Sequence, residues 1–196
     1  MDEQVLGRVA NASFFSMKDN RDNTSFIESF RPNQIECKTW LVDEIANFNP
    51  IWKRVLVLGS WNGILLWELM REHCCVNWFD FVDIDPEVHN DRDIYFEVNG
   101  LAKNYSSVLM DATDFSDHSS YDLIINTSCE HMADIPAEYG PLYALQSNNY
   151  VDIEEHTNCV NSPKQLARQN NITRIMFHDS KDMGHYKRHM VIGYYS

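Results

Sequence analysis

The chain has 196 residues, with 16 Lys plus Arg against 29 Asp plus Glu and a formal net charge of -13. That length suits one domain, and an apolar share of 44% can supply its core. The acidic balance excludes a protein that grips bulk nucleic acid through its phosphates, and no apolar run reaches the ~18 residues of a membrane span.

Residues 1–32 interleave Asn, Asp, Ser and Phe without a period and read as a loosely structured arm that folds over a site. Asn33 with Glu36 forms a capping box for a helix whose apolar face holds Trp40, Leu41, Ile45 and Phe48, and Asn49-Pro50 ends it. From there short apolar runs alternate with amphipathic stretches. Strands are expected at 54–58, 77–84, 107–110, 121–126, 142–146, 172–177 and 189–195. Helices are expected at 63–73, 86–101 and 163–169, with Pro86 suited to a first helical turn. The run from His178 to His189 reads as a solvated hairpin loop. Such alternation implies an α/β fold, a mostly parallel sheet covered on both faces. The last connection is too short for a crossover helix, so the final strand should be antiparallel. The division expected is an N-terminal arm and helix over 1–50, acting as a lid, and a ligand-binding domain over 51–196.

The chemistry concentrates where strands end. Val55-Leu-Val-Leu-Gly-Ser-Trp-Asn-Gly63 is a glycine-bearing turn between a strand and a helix, where a ligand can approach the backbone. Phe81-Val-Asp-Ile-Asp-Pro86 places acids about 20 residues further on, at the end of the next strand, where a carboxylate can accept both hydroxyls of a ribose. The third strand ends in Asp111-Ala112, and the fourth in Asn126-Thr-Ser-Cys-Glu-His131.

With these motifs the chain, from Arg54 to its C-terminus, resembles the class I S-adenosylmethionine-dependent methyltransferases. The resemblance implies a Rossmann-like three-layer sandwich with a seven-stranded, mostly parallel sheet and an antiparallel last strand. It also implies S-adenosylmethionine as cofactor. Leu58, Gly59, Ser60, Trp61 and Gly63 then wrap its methionine end, and Asp83 with Ile84 holds the ribose. Asp111 and Ala112 lie by the adenine, while Asn126 and the residues after it face the sulfonium. The compact layout also looks like small stand-alone members found in phage genomes. Two places depart from the family pattern: Val57 stands where an acid is usual, and Trp61 stands at the middle glycine of GxGxG. Trp61 there predicts packing against the cofactor or a narrowed pocket. The Asn/Asp-Pro-Pro-aromatic motif of DNA adenine methyltransferases is absent, as is the GxGxxG of nicotinamide oxidoreductases.

In the cluster after the fourth strand, His131 or Glu130 is a candidate general base, with Asn126 beside them as a third catalytic candidate. The competing reading makes Thr127 or Ser128 a helix cap. Cys129, Asn148, Asn149 and Tyr150 are candidate contacts to the substrate, because carboxyl ends of adjacent strands share one crevice. Two Glu-His pairs, 130/131 and 155/156, suggest metal ligands, but adjacent residues share one ion poorly and no familiar spacing appears, so no metal is expected. Five cysteines, an odd number with Cys74 and Cys75 adjacent, make a poor disulfide framework. The opening MDEQVLGRVANAS lacks the regions of a signal peptide, which points to the cytoplasm (the host's, for a phage protein). The expected function is methyl transfer to a small polar acceptor, with the oligomeric state open. The alternatives are transfer of an aminocarboxypropyl group, cleavage of the cofactor, or a non-catalytic binding protein that kept the fold.

Overall fold

The structure is a computed structural model and describes residues 2–18 and 24–196. Seven strands form one sheet: β1 (Ile51–Leu58), β2 (Cys75–Asp83), β3 (Tyr105–Leu109), β4 (Leu123–Asn126), β5 (Leu142–Asn148), β6 (Arg174–Asp182) and β7 (Lys187–Tyr194). Their order is β3-β2-β1-β4-β5-β7-β6. Pairs among β1 to β5 are parallel, and β7 runs antiparallel to both β5 and β6. This is the α/β architecture and closing hairpin expected. The hairpin strands reach further than expected, to Asp182 and from Lys187, so most of the stretch read as a solvated loop is paired backbone.

Side-chain alternation along each strand divides the core in two. Val55 and Val57 join Phe79, Phe81, Leu123 and Ile125 on one face, while Leu56, Leu58, Val82 and Ile124 pack on the other. Burying each such side chain contributes about 1.5–3 kcal/mol, so the sheet is fixed in register by both faces at once. Helices α4 (Ile64–His73) and α5 (Pro86–Val98) pack on the first face, and α6 (Pro163–Gln169) on the second. The crossovers from β3 to β4 and from β4 to β5 carry short 3-10 turns at Ala112–Asp114, His118–Ser120 and Cys129–His131.

The N-terminal segment departs from the expected loose arm. Residues Glu3–Lys18 form helix α1 and Thr24–Glu28 form α2; residues 19–23 of the arm lie outside the described residues. Helix α1 docks on α5 and buries Val5 and Ala12, and Arg8 reaches Glu68 Oε2 at 2.8 Å and Oε1 through Nε at 2.8 Å. Helix α3 spans Pro32–Phe48 and starts two residues earlier than expected: Arg31, not Asn33, is its N-cap and makes no side-chain cap bond. Pro32 at the first helical position supplies a φ preset for a helix, so the expected Asn33–Glu36 box does not form the cap. Its buried face holds Leu41 and Ile45 as expected, and also Cys37, Lys38 and Val42, whereas Phe48 is exposed. No described helix is long and apolar enough to cross a membrane.

Candidate functional site

Strand order reverses around β1, whose neighbours are β2 and β4, and open α/β sheets bind ligands where the carboxyl ends diverge at such a switch point. A cavity of about 410 Å³ lies there, within the ~300–1,000 Å³ of ligand sites. Of the residues singled out in the sequence, Gly59, Trp61, Asp83, Ile84, Asp111, Ala112 and His131 line it, together with Asp85, Val88, Ser128 and Met132.

The loop after β1 takes the left-handed region at Gly59 (φ 56°), Trp61 (φ 51°) and Gly63 (φ 67°). A Cβ at Gly63 would meet the Phe81 ring at 2.5 Å, so glycine there is a packing requirement as well as a backbone one. Trp61 has no such freedom, and its main chain is held on both sides. Its N–H donates to Asp83 Oδ2 at 2.7 Å, and its carbonyl accepts from Arg92 Nη2 at 3.1 Å. Arg92 is fully buried and also donates to the Asn62 carbonyl (2.8 Å), Ser60 Oγ (3.3 Å) and Ser107 Oγ (2.7 Å), with its guanidinium 4.3 Å from the Phe81 ring centre. Trp61 Nε1 donates to Ser25 Oγ of α2 at 2.7 Å, and Lys38 Nζ of α3 lies 5.9 Å from its ring.

Three of the predicted loop residues act inward. Leu58 is core, Ser60 is buried and donates to the Trp61 carbonyl, and Gly63 is the N-cap of α4. On the opposite wall, Asp85 caps α5 by accepting from the Glu87 N–H at 2.9 Å, and Ile84 is 67% exposed although large and apolar. Asp111 accepts from both the Thr113 hydroxyl and N–H, which holds its carboxyl below the ordinary range. Asn126 is buried under the cavity, accepting from the Ser128 N–H at 2.8 Å and facing Met132 Sδ at 3.2 Å.

The other predicted catalytic and substrate residues do not line the cavity. Glu130 is buried, and its Oε1 accepts from Arg188 and, at 2.7 Å, from Asn148 Nδ2. Cys129 is 4% exposed, and burial first, then Glu130, pushes its thiol well above the ordinary value, so it is a buried neutral thiol and not a contact on the cavity. Asn149 Oδ1 accepts from the Lys187 N–H at 2.7 Å, and Tyr150 stacks on Tyr186 with ring centres 5.8 Å apart. His131 is accessible on the cavity, and burial pushes its imidazole below the ordinary value. The two Glu-His pairs come together: the His131 and His156 rings lie 4.5 Å apart, and both imidazoles are close to Glu130.

Sequence reasoning missed Arg92, Val88 and Met132. Val88, Arg92, Tyr95 and Phe96 lie on one face of α5, and the Arg within that apolar stripe was the available signal. Val57 is 1% exposed among apolar neighbours, so the place where the family pattern has an acid is occupied by core.

No family model and no curated protein matches this sequence. Solved structures do match it in fold. The N-methyltransferase NodS from Bradyrhizobium japonicum WM9 superposes with a TM-score of 0.62 at 11% identity, covering 84% of this chain and 97% of that one. A geranyl diphosphate methyltransferase in complex with SAM gives 0.62 at 9% identity, covering 83% and 86%. The ribosomal protein L11 methylase from Lactobacillus delbrueckii subsp. bulgaricus gives 0.53 at 15% identity, covering 83% and 79%. The chain has the fold of the S-adenosylmethionine-dependent methyltransferases, Rossmann-like with a seven-stranded mixed sheet.

Proposed function

We propose that this protein is an S-adenosylmethionine-dependent methyltransferase acting on a small polar acceptor. The observation that carries the reading is the cavity at the β1/β4 switch point, with the Asp83 and Asp111 carboxylates at its rim and an apolar wall between them. That set suits the adenosine half of the cofactor. Asp83 spends one lone pair on the Trp61 N–H and one on the Asp85 N–H, which leaves acceptor capacity for ribose hydroxyls. Asp111 uses Oδ1 on Thr113, leaving Oδ2 for an adenine amino group. Ile84, Val88 and Ala112 offer the base an apolar bed. The fold likeness to a geranyl diphosphate methyltransferase bound to SAM supports the same cofactor. When bound, S-adenosylmethionine supplies an electrophilic methyl group.

What this chain contributes is positioning and proton handling. The clamped loop orients the cofactor, and His131 stands where the fourth strand opens onto the cavity, suited to an acceptor's proton. The first 50 residues act as a cap over the acceptor end; the bond of Trp61 to Ser25 and its contact with Lys38 support this. The charge of -13 favours a small acceptor over nucleic acid, and five free cysteines favour a reducing cytoplasm.

One observation favours a second reading. The buried Val57 leaves the cofactor's ammonium without the usual acid, which suits an altered use of the methionine end, either aminocarboxypropyl transfer or cofactor cleavage. Calorimetry with S-adenosylmethionine and S-adenosylhomocysteine tests the site, and product identification tests the chemistry. Saturable binding with S-adenosylhomocysteine as product is expected. Methylthioadenosine or homoserine lactone selects the second reading, and no binding of either ligand leaves a non-catalytic protein.

A further inference from the structure

The two Glu-His pairs are far apart in sequence and converge beside the cavity. One carboxylate oxygen of Glu130 and one ring nitrogen each of His131 and His156 lie within 4.8 Å of one another. We propose that these three residues bind a divalent transition-metal ion of the zinc class, whose open position takes a hydroxyl oxygen of the methyl acceptor. The acceptor clause rests on the methyl-transfer reading; the metal site does not.

The donor set argues for such an ion. Two imidazoles and one carboxylate leave a fourth position open, as in catalytic zinc sites. Ligand atoms ~2.1 Å from a tetrahedral ion stand roughly 3.4 Å apart, so the present spread closes by side-chain rotation, for which exposed His131 has room. Adjacency of Glu130 and His131 is no obstacle, since both sit in the tight turn Cys129–His131 and His156 comes from a separate loop.

Glu130 is the independent observation. It is 3% exposed, and Arg188 and Asn148 both bind Oε1, yet Oε2 is buried with no partner among the described residues. A buried carboxylate oxygen without a donor is costly and rare unless something else satisfies it. The histidines are oriented as ligands are. His156 Nδ1 lies 2.6 Å from the Tyr150 carbonyl oxygen, which fixes the proton on Nδ1 and leaves the Nε2 lone pair outward. The His131 ring also donates a hydrogen bond to the Glu155 backbone.

Charge then points to the role. Arg188 already balances Glu130, so a bound ion keeps most of its charge for a fourth ligand. His131 lines the cavity, which joins the site to the proposed cofactor pocket. There the ion lowers the pKa of an acceptor hydroxyl. With the ion in place His131 serves as its ligand instead of as the base, so the hydroxyl proton leaves to solvent, the oxygen lone pair forms the O–CH3 bond, and the C–S electron pair stays on sulfur to give S-adenosylhomocysteine.

The test uses the full chain stripped with chelator, titrated with Zn2+ by calorimetry and with Co2+ by visible absorption. One equivalent per chain is expected, with at least tenfold weaker binding in Glu130→Gln and in His156→Ala. His131→Ala replaces either variant that fails to fold by circular dichroism. Absence of saturable uptake by the wild type overturns the site. So does unchanged affinity in the folded variants, which would assign the metal to cysteines. The same apoprotein is titrated with S-adenosylmethionine. Cofactor binding without metal uptake overturns the site alone. Metal uptake without cofactor binding upholds the site and overturns the methyl-transfer reading.

Discussion

Replacing Arg92 with methionine keeps an apolar stem beside Phe81 and removes every donor that the guanidinium gives the loop after β1. Two of its bonds are wholly buried, to the Asn62 carbonyl at 2.8 Å and to Ser60 Oγ at 3.3 Å. An orphaned buried acceptor costs about 1–3 kcal/mol, which applies to the Asn62 carbonyl; Ser60 Oγ keeps its bond to the Trp61 carbonyl, and the charge-assisted bonds lost at Ser60, Trp61 and Ser107 add about as much again. Part of this is offset, because burying the guanidinium is itself unfavourable; burial pushes its pKa down to about 10. The expected net loss is about 2–4 kcal/mol. At ~2–4 °C for each kcal/mol in a chain of this size, the melting temperature should fall by about 5–15 °C. The loop that holds Trp61 in the left-handed region would loosen with it. S-adenosylmethionine should therefore bind roughly tenfold more weakly to the variant that remains folded. Thermal unfolding by circular dichroism and calorimetry at a temperature where both proteins are native read the two effects. A fall of under ~2 °C with unchanged affinity would refute the idea that the loop is held from inside.

Three further substitutions probe other parts of the site. Burial, then Arg188, pushes Lys38 down to about 8, so between pH 8 and 10.5 the unfolded chain binds more protons than the native one and stability from this group rises with pH. At ~1.4 kcal/mol per pH unit this is about 3 kcal/mol. Lys38→Met should thus be the more stable protein at pH 7, with the advantage shrinking towards pH 10.5; losing the Lys38 charge also lets burial raise the Cys37 thiol further, which acts in the same direction at alkaline pH. Urea unfolding across that range decides it, and a constant difference contradicts the assignment. Asp83→Ala should raise the S-adenosylmethionine Kd about 10- to 100-fold, since charge-assisted bonds contribute ~1.5–3 kcal/mol each, and an unchanged Kd would overturn the ribose placement. Gly63→Ala combines a 2.5 Å approach to Phe81 with φ of 67° and should lower stability by about 2–4 kcal/mol in urea unfolding; a loss under ~0.5 kcal/mol would count against that contact.

The sheet was legible because its strands are short apolar runs bounded by Gly, Pro and Asn, and the closing hairpin followed from a connection too short to cross over. Charge hid the hairpin's length. Residues 178–182 and 187–189 carry ladder bonds made by the backbone, while their side chains read as a solvated loop. The N-terminal helices were hidden for a different reason. Val5, Val9, Ala12 and Ser16 make a stripe one residue wide and small in volume, and α1 is fixed by distant partners, Glu68 and Tyr95. Such an element carries little local pattern. The candidate site was legible at strand ends, since parallel strands bring Gly59, Asp83, Asp111 and His131 to one edge whatever their order. Whether a polar residue there faces the cavity or the protein was not legible. Asn126 and Asn148 sit at strand ends and Glu130 in the turn after β4, and all three turn inward because each finds a partner there.

Trp61 shows how a loop keeps its shape with a bulky residue in the left-handed region. A side chain in the left-handed region costs about 1–2 kcal/mol, and a bulky ring at a ligand loop adds nothing to relieve it. The relief comes from groups of opposite charge on either side of one residue: the Asp83 carboxylate takes its N–H and the Arg92 guanidinium takes its carbonyl. Each charge-assisted bond contributes ~1.5–3 kcal/mol, enough to outweigh the strain. The consequence reaches the site, because Asp83 is also the acid at the cavity rim. One carboxylate therefore fixes the loop and lines the cavity, and the ring it holds in place is tied through Ser25 to the N-terminal helices. The N-terminal helices, the loop and the Asp83 carboxylate on the cavity are thus tied together through Trp61, a link that a glycine at this place would lack.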